Sequence, residues 1–96
     1  MITLIARLKA KDGEFETMRR LAVAMAKAVS ADEPGNALYA VAEGSGDHEL
    51  VLIERYQDDA ALAAHRASDH FKSIGKQLAP TLAGPPDILF RLSDCV

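Results

Sequence analysis

Residues 48–57, HELVLIERYQ, limit what this chain can fold into more than any other stretch. Side chains alternate with the period of an extended strand: Leu50, Leu52, Glu54 and Tyr56 fall on one face, Val51, Ile53 and Arg55 on the other. Both faces are apolar, the pattern of a sheet covered on two sides. Asp58 and Asp59 then stop the strand and suit a helix start, where carboxylates accept from free N–H groups and complement the helix dipole. The helix that follows carries Leu62 and His65 three residues apart, on one face. Ser68 reads as the cap of a second helix with Phe71, Ile74 and Leu78. Two histidines, His65 and His70, therefore fall where an apolar strand meets two short helices.

The flanking segments complete a pattern. Ile2 to Lys9 read as a strand, with Ile2, Leu4, Ala6 and Leu8 on one face and Ile5 on the other. Lys11-Asp12-Gly13 is a turn, with Asp12 as candidate cap. Residues 14–31 read as a helix with an apolar stripe of Phe15, Met18, Ala22, Met25 and Val29, and Glu16 is spaced to pair with Arg20. Asp32-Glu33-Pro34-Gly35 ends that helix. Asn36 to Glu43 form a second strand, with Tyr39 and Val41 on one face, and Gly44 to Asp47 a hairpin connection. Gly84-Pro85-Pro86 precedes a last strand, Asp87 to Leu92, with Ile88, Phe90 and Leu92 opposite Leu89 and Arg91. The order β-α-β-β-α-β predicts an α+β, ferredoxin-like split βαβ domain spanning 1–96, an antiparallel four-stranded sheet with helices on one face. The other face calls for a partner, most simply a second copy in a homodimer.

Composition narrows function. The 96 residues make one domain, and a chain this short gains from a partner surface. A net charge of −3 argues against nucleic acid or an anionic membrane as partner. No apolar run approaches membrane-helix length, and the N-terminus lacks the charged region of a signal peptide. The lone Cys95 forms no intramolecular disulfide, which fits a reducing cytoplasm. There is no HExxH, CxxC, GxGxxG or phosphate-binding loop, and the three histidines have no metal-ligand spacing. The expectation is a chain without metal or other cofactor.

The run ERYQDDAALAAHRASDHFK resembles the signature of the antibiotic biosynthesis monooxygenase family. ARLKAKDGEFETM, EPGNALY and LAPTLAGPPDI resemble other parts of the same family, so the resemblance covers nearly the whole chain. It implies a dimeric α+β barrel. It also implies a pocket role for His65 and, next to Phe71, for His70. Haem-degrading relatives use a tryptophan that this chain lacks, and Gly75 stands near where their histidine would be.

Each candidate residue has an ordinary structural reading beside the functional one. His65 suits a general base, since an unperturbed imidazole titrates near neutrality, but it equally suits a core-edge position with one hydrogen bond. Tyr39 and Tyr56 are half-buried strand residues, and Glu54 on a buried face needs a partner such as an arginine. Phe71 reads as core or pocket wall. Arg7, Arg55 and Arg91 are within reach of an anionic substrate or of neighbouring carboxylates. Tyr39, Glu54, Tyr56, Phe71 and Arg91 are accordingly the candidate substrate-binding residues, and His65 and His70 the candidate catalytic ones.

Three functions follow. The first is a cofactor-independent quinol-type monooxygenase. The second, implied by an autoinducer-processing relative, is an isomerase of a small sugar-like substrate with arginines facing the pocket. The third is a non-catalytic small-ligand-binding dimer. Fold by itself does not choose among chemistries.

Overall fold

A computed structural model describes all 96 residues. The elements are β1 (Ile2–Lys9), α1 (Phe15–Asp32), β2 (Asn36–Glu43), β3 (Glu49–Tyr56), α2 (Asp59–Ala67), α3 (Asp69–Leu78), a short 3-10 turn (Ala79–Thr81) and β4 (Asp87–Ser93). The strands form one antiparallel sheet in the order β2-β3-β1-β4. The ferredoxin-like expectation therefore holds, with β1 and β3 in the centre.

The inner face carries the core. Ile2, Leu4, Ala6 and Leu8 of β1 and Leu50, Leu52, Glu54 and Tyr56 of β3 are buried. Met18, Leu21, Ala22, Met25 and Val29 are the buried positions of α1. Phe15 is only half-buried, and Leu21 joins the stripe the spacing predicts. The core forms two clusters, one built on Leu8, Met18 and Leu50, the other on Ile2, Leu4, Tyr56 and Leu62. Glu54 lies between them in β3, flanked by Leu52 of the first and Tyr56 of the second.

Local chemistry sets the helix ends. The Asp58 carboxylate accepts from Ala61 N at 2.8 Å, and Ser68 Oγ accepts from Phe71 N at 3.2 Å, so both expected caps are present. Ser68 Oγ also donates to His65 O at 2.7 Å, which ties the end of α2 to the start of α3. The α1 cap differs: Glu14, not Asp12, precedes the helix, and its side chain makes no capping bond. Glu16 bonds Arg19 rather than Arg20, at 2.6 Å. The β2–β3 connection takes its left-handed residue at His48, φ 60°, rather than at a glycine.

β4 departs from strict alternation. Ile5 pairs with Phe90 while Ala6 pairs with Ile88, so Leu89 is an extra residue in a bulge. The insertion changes the face of everything before it. Ile88 shares the inner face with Ala6 and Leu4, whereas Phe90 and Leu92 share the outer face with Ile5 and Thr3. The expected grouping of Ile88 with Phe90 and Leu92 is thus corrected.

The outer face has no helix over it. Ala40, Ile53, Ile5 and Phe90 form one apolar row across all four strands. Leu38, Phe90 and Leu92 are 42%, 57% and 48% exposed. No helix is long and apolar enough to cross a membrane.

Candidate active site

Between the inner sheet face and the helices lies a cavity of about 610 Å³. Its floor is aliphatic, from Leu4, Ala6, Leu8 and Leu52. Tyr39, Glu54, His65 and Phe71 supply its polar and aromatic walls. Mostly apolar lining with a few convergent polar groups is the usual character of a small-molecule site.

His65 is the centre of the polar part. Its place on the α2 face shared with Leu62 buries it to 3% exposure. Phe71 meets the imidazole edge-on at 4.9 Å between centroids, and Tyr56 and Tyr39 lie at 5.4 and 5.8 Å. Nδ1 is 2.8 Å from Glu33 Oε2. Nε2 lies on the other side, 3.9 Å from Glu54 Oε1. The same Glu33 oxygen is 2.5 Å from His70 Nε2. With that carboxylate ionised, both histidines donate to it. His65 then carries its proton on Nδ1 and keeps a free lone pair on Nε2. A carboxylate that fixes the tautomer of a base whose other nitrogen faces a cavity is a recurring catalytic arrangement.

Glu33 is the residue that sequence reasoning passed over. It reads as part of a helix terminator, yet two acidic residues at a helix C-terminus oppose the dipole there. That local conflict was the available signal, since such conflicts collect at functional sites. The turn reaches α2 because residue 35 is glycine: a Cβ there would stand 2.6 Å from Ala61 Cβ.

Glu54 finds no arginine. It accepts from the Tyr56 hydroxyl at 2.6 Å instead. Burial pushes its carboxyl above the ordinary carboxylate range, against the opposing pull of the Tyr56 bond, of His65 and of the more distant Arg66 charge. Burial, reinforced by Glu54, also drives Tyr39 and Tyr56 far above the usual phenol range, so both stay protonated donors.

The Glu54 shift gives a stability prediction. Its native form holds the proton more tightly than the unfolded chain does. The stabilisation is complete below the ordinary value of 4.5 and is lost as pH rises through the native value. Glu54→Gln, which still accepts from Tyr56, should raise the melting temperature at neutral pH, with the gain shrinking toward pH 4.5 and below. Melting curves across that range check it. A gain that grows on acidification would contradict the sign.

The other expected residues are placed as follows. Tyr39, Glu54 and Phe71 line the cavity with His65, while Tyr56 acts behind Glu54 and His70 behind Glu33. Arg91 is outside the cavity, bonded to Asp59 at 2.8 Å. Arg7 and Arg55 are likewise held, by Asp87 and Asp94, each at 2.7 Å. His48 packs on Phe15, away from the site. Glu33, His65 and His70 bring three ligand-type atoms within 4.8 Å of one another and are the residues able to hold a divalent ion. Their hydrogen bonds already satisfy these atoms.

Known proteins share this arrangement of elements. The family model for antibiotic biosynthesis monooxygenases matches residues 1–77. The Bacillus subtilis (strain 168) protein named "Putative monooxygenase YcnE" is 30% identical over 90 residues, 93% of this chain and 94% of that one. Among solved structures, a "putative antibiotic biosynthesis monooxygenase" from Caulobacter crescentus CB15 superposes with a TM-score of 0.92 at 28% identity, covering 99% of this chain and 90% of that one. Rv0793 of Mycobacterium tuberculosis does so with 0.83 at 30%, covering 99% and 98%. PA3566 of Pseudomonas aeruginosa gives 0.79 at 33%, covering 96% and 94%. With the family model covering most of its length and relatives aligned nearly end to end, this chain belongs to the antibiotic biosynthesis monooxygenase family.

Proposed function

We propose that the chain is a cofactor-independent monooxygenase of electron-rich dihydroxy aromatics. The observation that carries this reading is the placement of His65. One nitrogen is fixed by Glu33, and the other lies beside a mostly apolar cavity. His65 Nε2 takes a proton from a quinol hydroxyl. The resulting quinolate is electron-rich enough to pass one electron to O₂, giving a semiquinone and superoxide. These combine to form a C–O bond at a ring carbon, and the resulting peroxide anion takes the proton back from His65 Nε2 to become a hydroperoxide. Loss of water from that hydroperoxide, with the ring C–H proton, leaves a hydroxyquinone. Quinol and O₂ thus become hydroxyquinone and water, with one oxygen atom of O₂ in each product.

The residues divide the work. Tyr39, held protonated by its burial, donates to the developing oxyanion. Leu4, Leu52 and Phe71 keep water from the radical pair. Glu33 positions His65, and His70 holds Glu33. Arg91 takes no part. The functional unit is a homodimer joined through the outer sheet face, opposite the cavity.

Oxygen uptake with a naphthohydroquinone, measured against the uncatalysed rate, tests this. Isotopically heavy O₂ should label the quinone product. Protein dialysed against a chelator should keep its rate. Activity lost on chelation and restored by ferrous or zinc ion would instead assign Glu33, His65 and His70 to a metal. The isomerase reading looks to Arg7, Arg55 and Arg91 at the cavity, and all three are held by aspartates outside it; the arginine that does line the cavity is Arg66, at its mouth.

A further inference from the structure

The mouth of the cavity is unlike its interior. Arg66, from the end of α2, and Lys72 and Lys76, one turn apart on α3, all line it and all are solvent-exposed. None has a carboxylate within ion-pair distance. Of the other eight cations, Arg7, Arg19, Arg55 and Arg91 each hold an acidic side chain, while Lys9, Lys11, Arg20 and Lys27 are unpaired but line no part of this cavity. The protein carries a net charge of −3, yet three free cations converge on this one rim. The only carboxylate lining the cavity is Glu54, on the sheet side next to His65.

We propose that the ligand of this cavity is an aromatic acid, bound with its hydroxyl toward His65 and its carboxylate or phosphate between Arg66, Lys72 and Lys76. The charges fix the orientation. An anionic group beside Glu54 meets repulsion and a dry wall, whereas at the rim it meets three cations that need no release from other partners. The aliphatic floor takes the ring system between the two ends. About 610 Å³ leaves room for a fused two-ring body with a substituent. The inference rests on the oxygenase reading only for what happens at the hydroxyl end; the anion subsite stands on the rim residues alone.

Binding calorimetry with the full chain separates the two. The probes are naphthol, a hydroxynaphthoate with hydroxyl and acid at opposite ends of the ring pair, and the matching hydroxynaphthyl phosphate. At low ionic strength the acids should bind on the order of tenfold tighter than naphthol, the sum of three partly exposed ion pairs. The preference should fade with added salt. It should also collapse in the triple variant Arg66→Gln, Lys72→Gln, Lys76→Gln, while naphthol binds as before. The carboxylate and phosphate arms show which anion the rim suits. Equal affinity for naphthol and both acids, a preference that survives the triple variant, or no binding of any probe overturns the proposal. Tight binding of an acid-bearing quinol without oxygen uptake removes the oxygenase reading and leaves the anion subsite standing. The substitutions are all at exposed positions, and a melting curve checks that the variant folds.

Discussion

Replacing His65 with asparagine should lower quinol-dependent oxygen uptake by about 10²- to 10⁴-fold, the usual span for loss of a general base. Asparagine suits the test because its amide nitrogen sits close to where Nδ1 was. The donor to Glu33 is kept, and only the basic Nε2 is removed. Alanine would leave the Glu33 carboxylate short of one partner in a part-buried setting, mixing a stability cost into the result. Glu33→Gln provides the complementary case. Its amide oxygen can still accept from both histidines but carries no charge, so it no longer stabilises the imidazolium that forms when Nε2 takes the substrate's proton, and the cavity is untouched. The loss should fall on kcat rather than KM, because Glu33 does not line the cavity. The double variant should be little worse than His65→Asn alone, since both changes disable one unit. Full activity in folded His65→Asn would end the assignment of this ring as the base. Multiplicative losses in the double variant would show that Glu33 acts by some route other than His65.

Much of this site was legible because it lies on regular elements. The alternation of β3 places Glu54 and Tyr56 together on the buried face, and the Leu62–His65 spacing turns the imidazole inward. The caps at Asp58 and Ser68 follow from local chemistry that needs only the neighbouring backbone. What escaped depends on contacts between distant segments. Glu33 is 32 positions from His65, and no periodicity links them; the close approach of Gly35 to Ala61 brings them together. The bulge at Leu89 is an event of strand pairing, invisible in β4 alone, and it moves Ile88 from the outer face to the cavity wall. The partner of Glu54 was expected among the arginines, the commonest answer for a buried carboxylate. The structure supplies a neighbouring hydroxyl, and the arginines go to aspartates along the surface.

Phe90→Glu should convert the proposed homodimer into a monomer. Phe90 is 57% exposed in the isolated chain, so the substitution costs the subunit fold little. Yet it ends the apolar row of Ala40, Ile53, Ile5 and Phe90, the one row on that face with no charged member. The rows on either side each contain an arginine tied to an aspartate, Arg55 to Asp94 and Arg7 to Asp87. Such a face, apolar along the middle and charged at its flanks, suits a two-fold contact in which the middle rows meet and the flanks stay wet. Burying one phenylalanine is worth about 1.5–3 kcal/mol, and a symmetric interface counts it twice. Loss of both, before adding the cost of two buried carboxylates, weakens association by roughly 10²- to 10⁴-fold. Sedimentation at micromolar concentration should show the parent protein at twice the 10.3 kDa chain mass and Phe90→Glu at the chain mass. The melting temperature of the parent should rise with protein concentration and that of the variant should not, because only the dimer draws stability from association. The cavity lies on the opposite face of the sheet from Phe90, so the folded variant should still bind the hydroxynaphthoate probe. A parent chain that sediments as a stable monomer, or a variant that remains dimeric, would move the contact off this face.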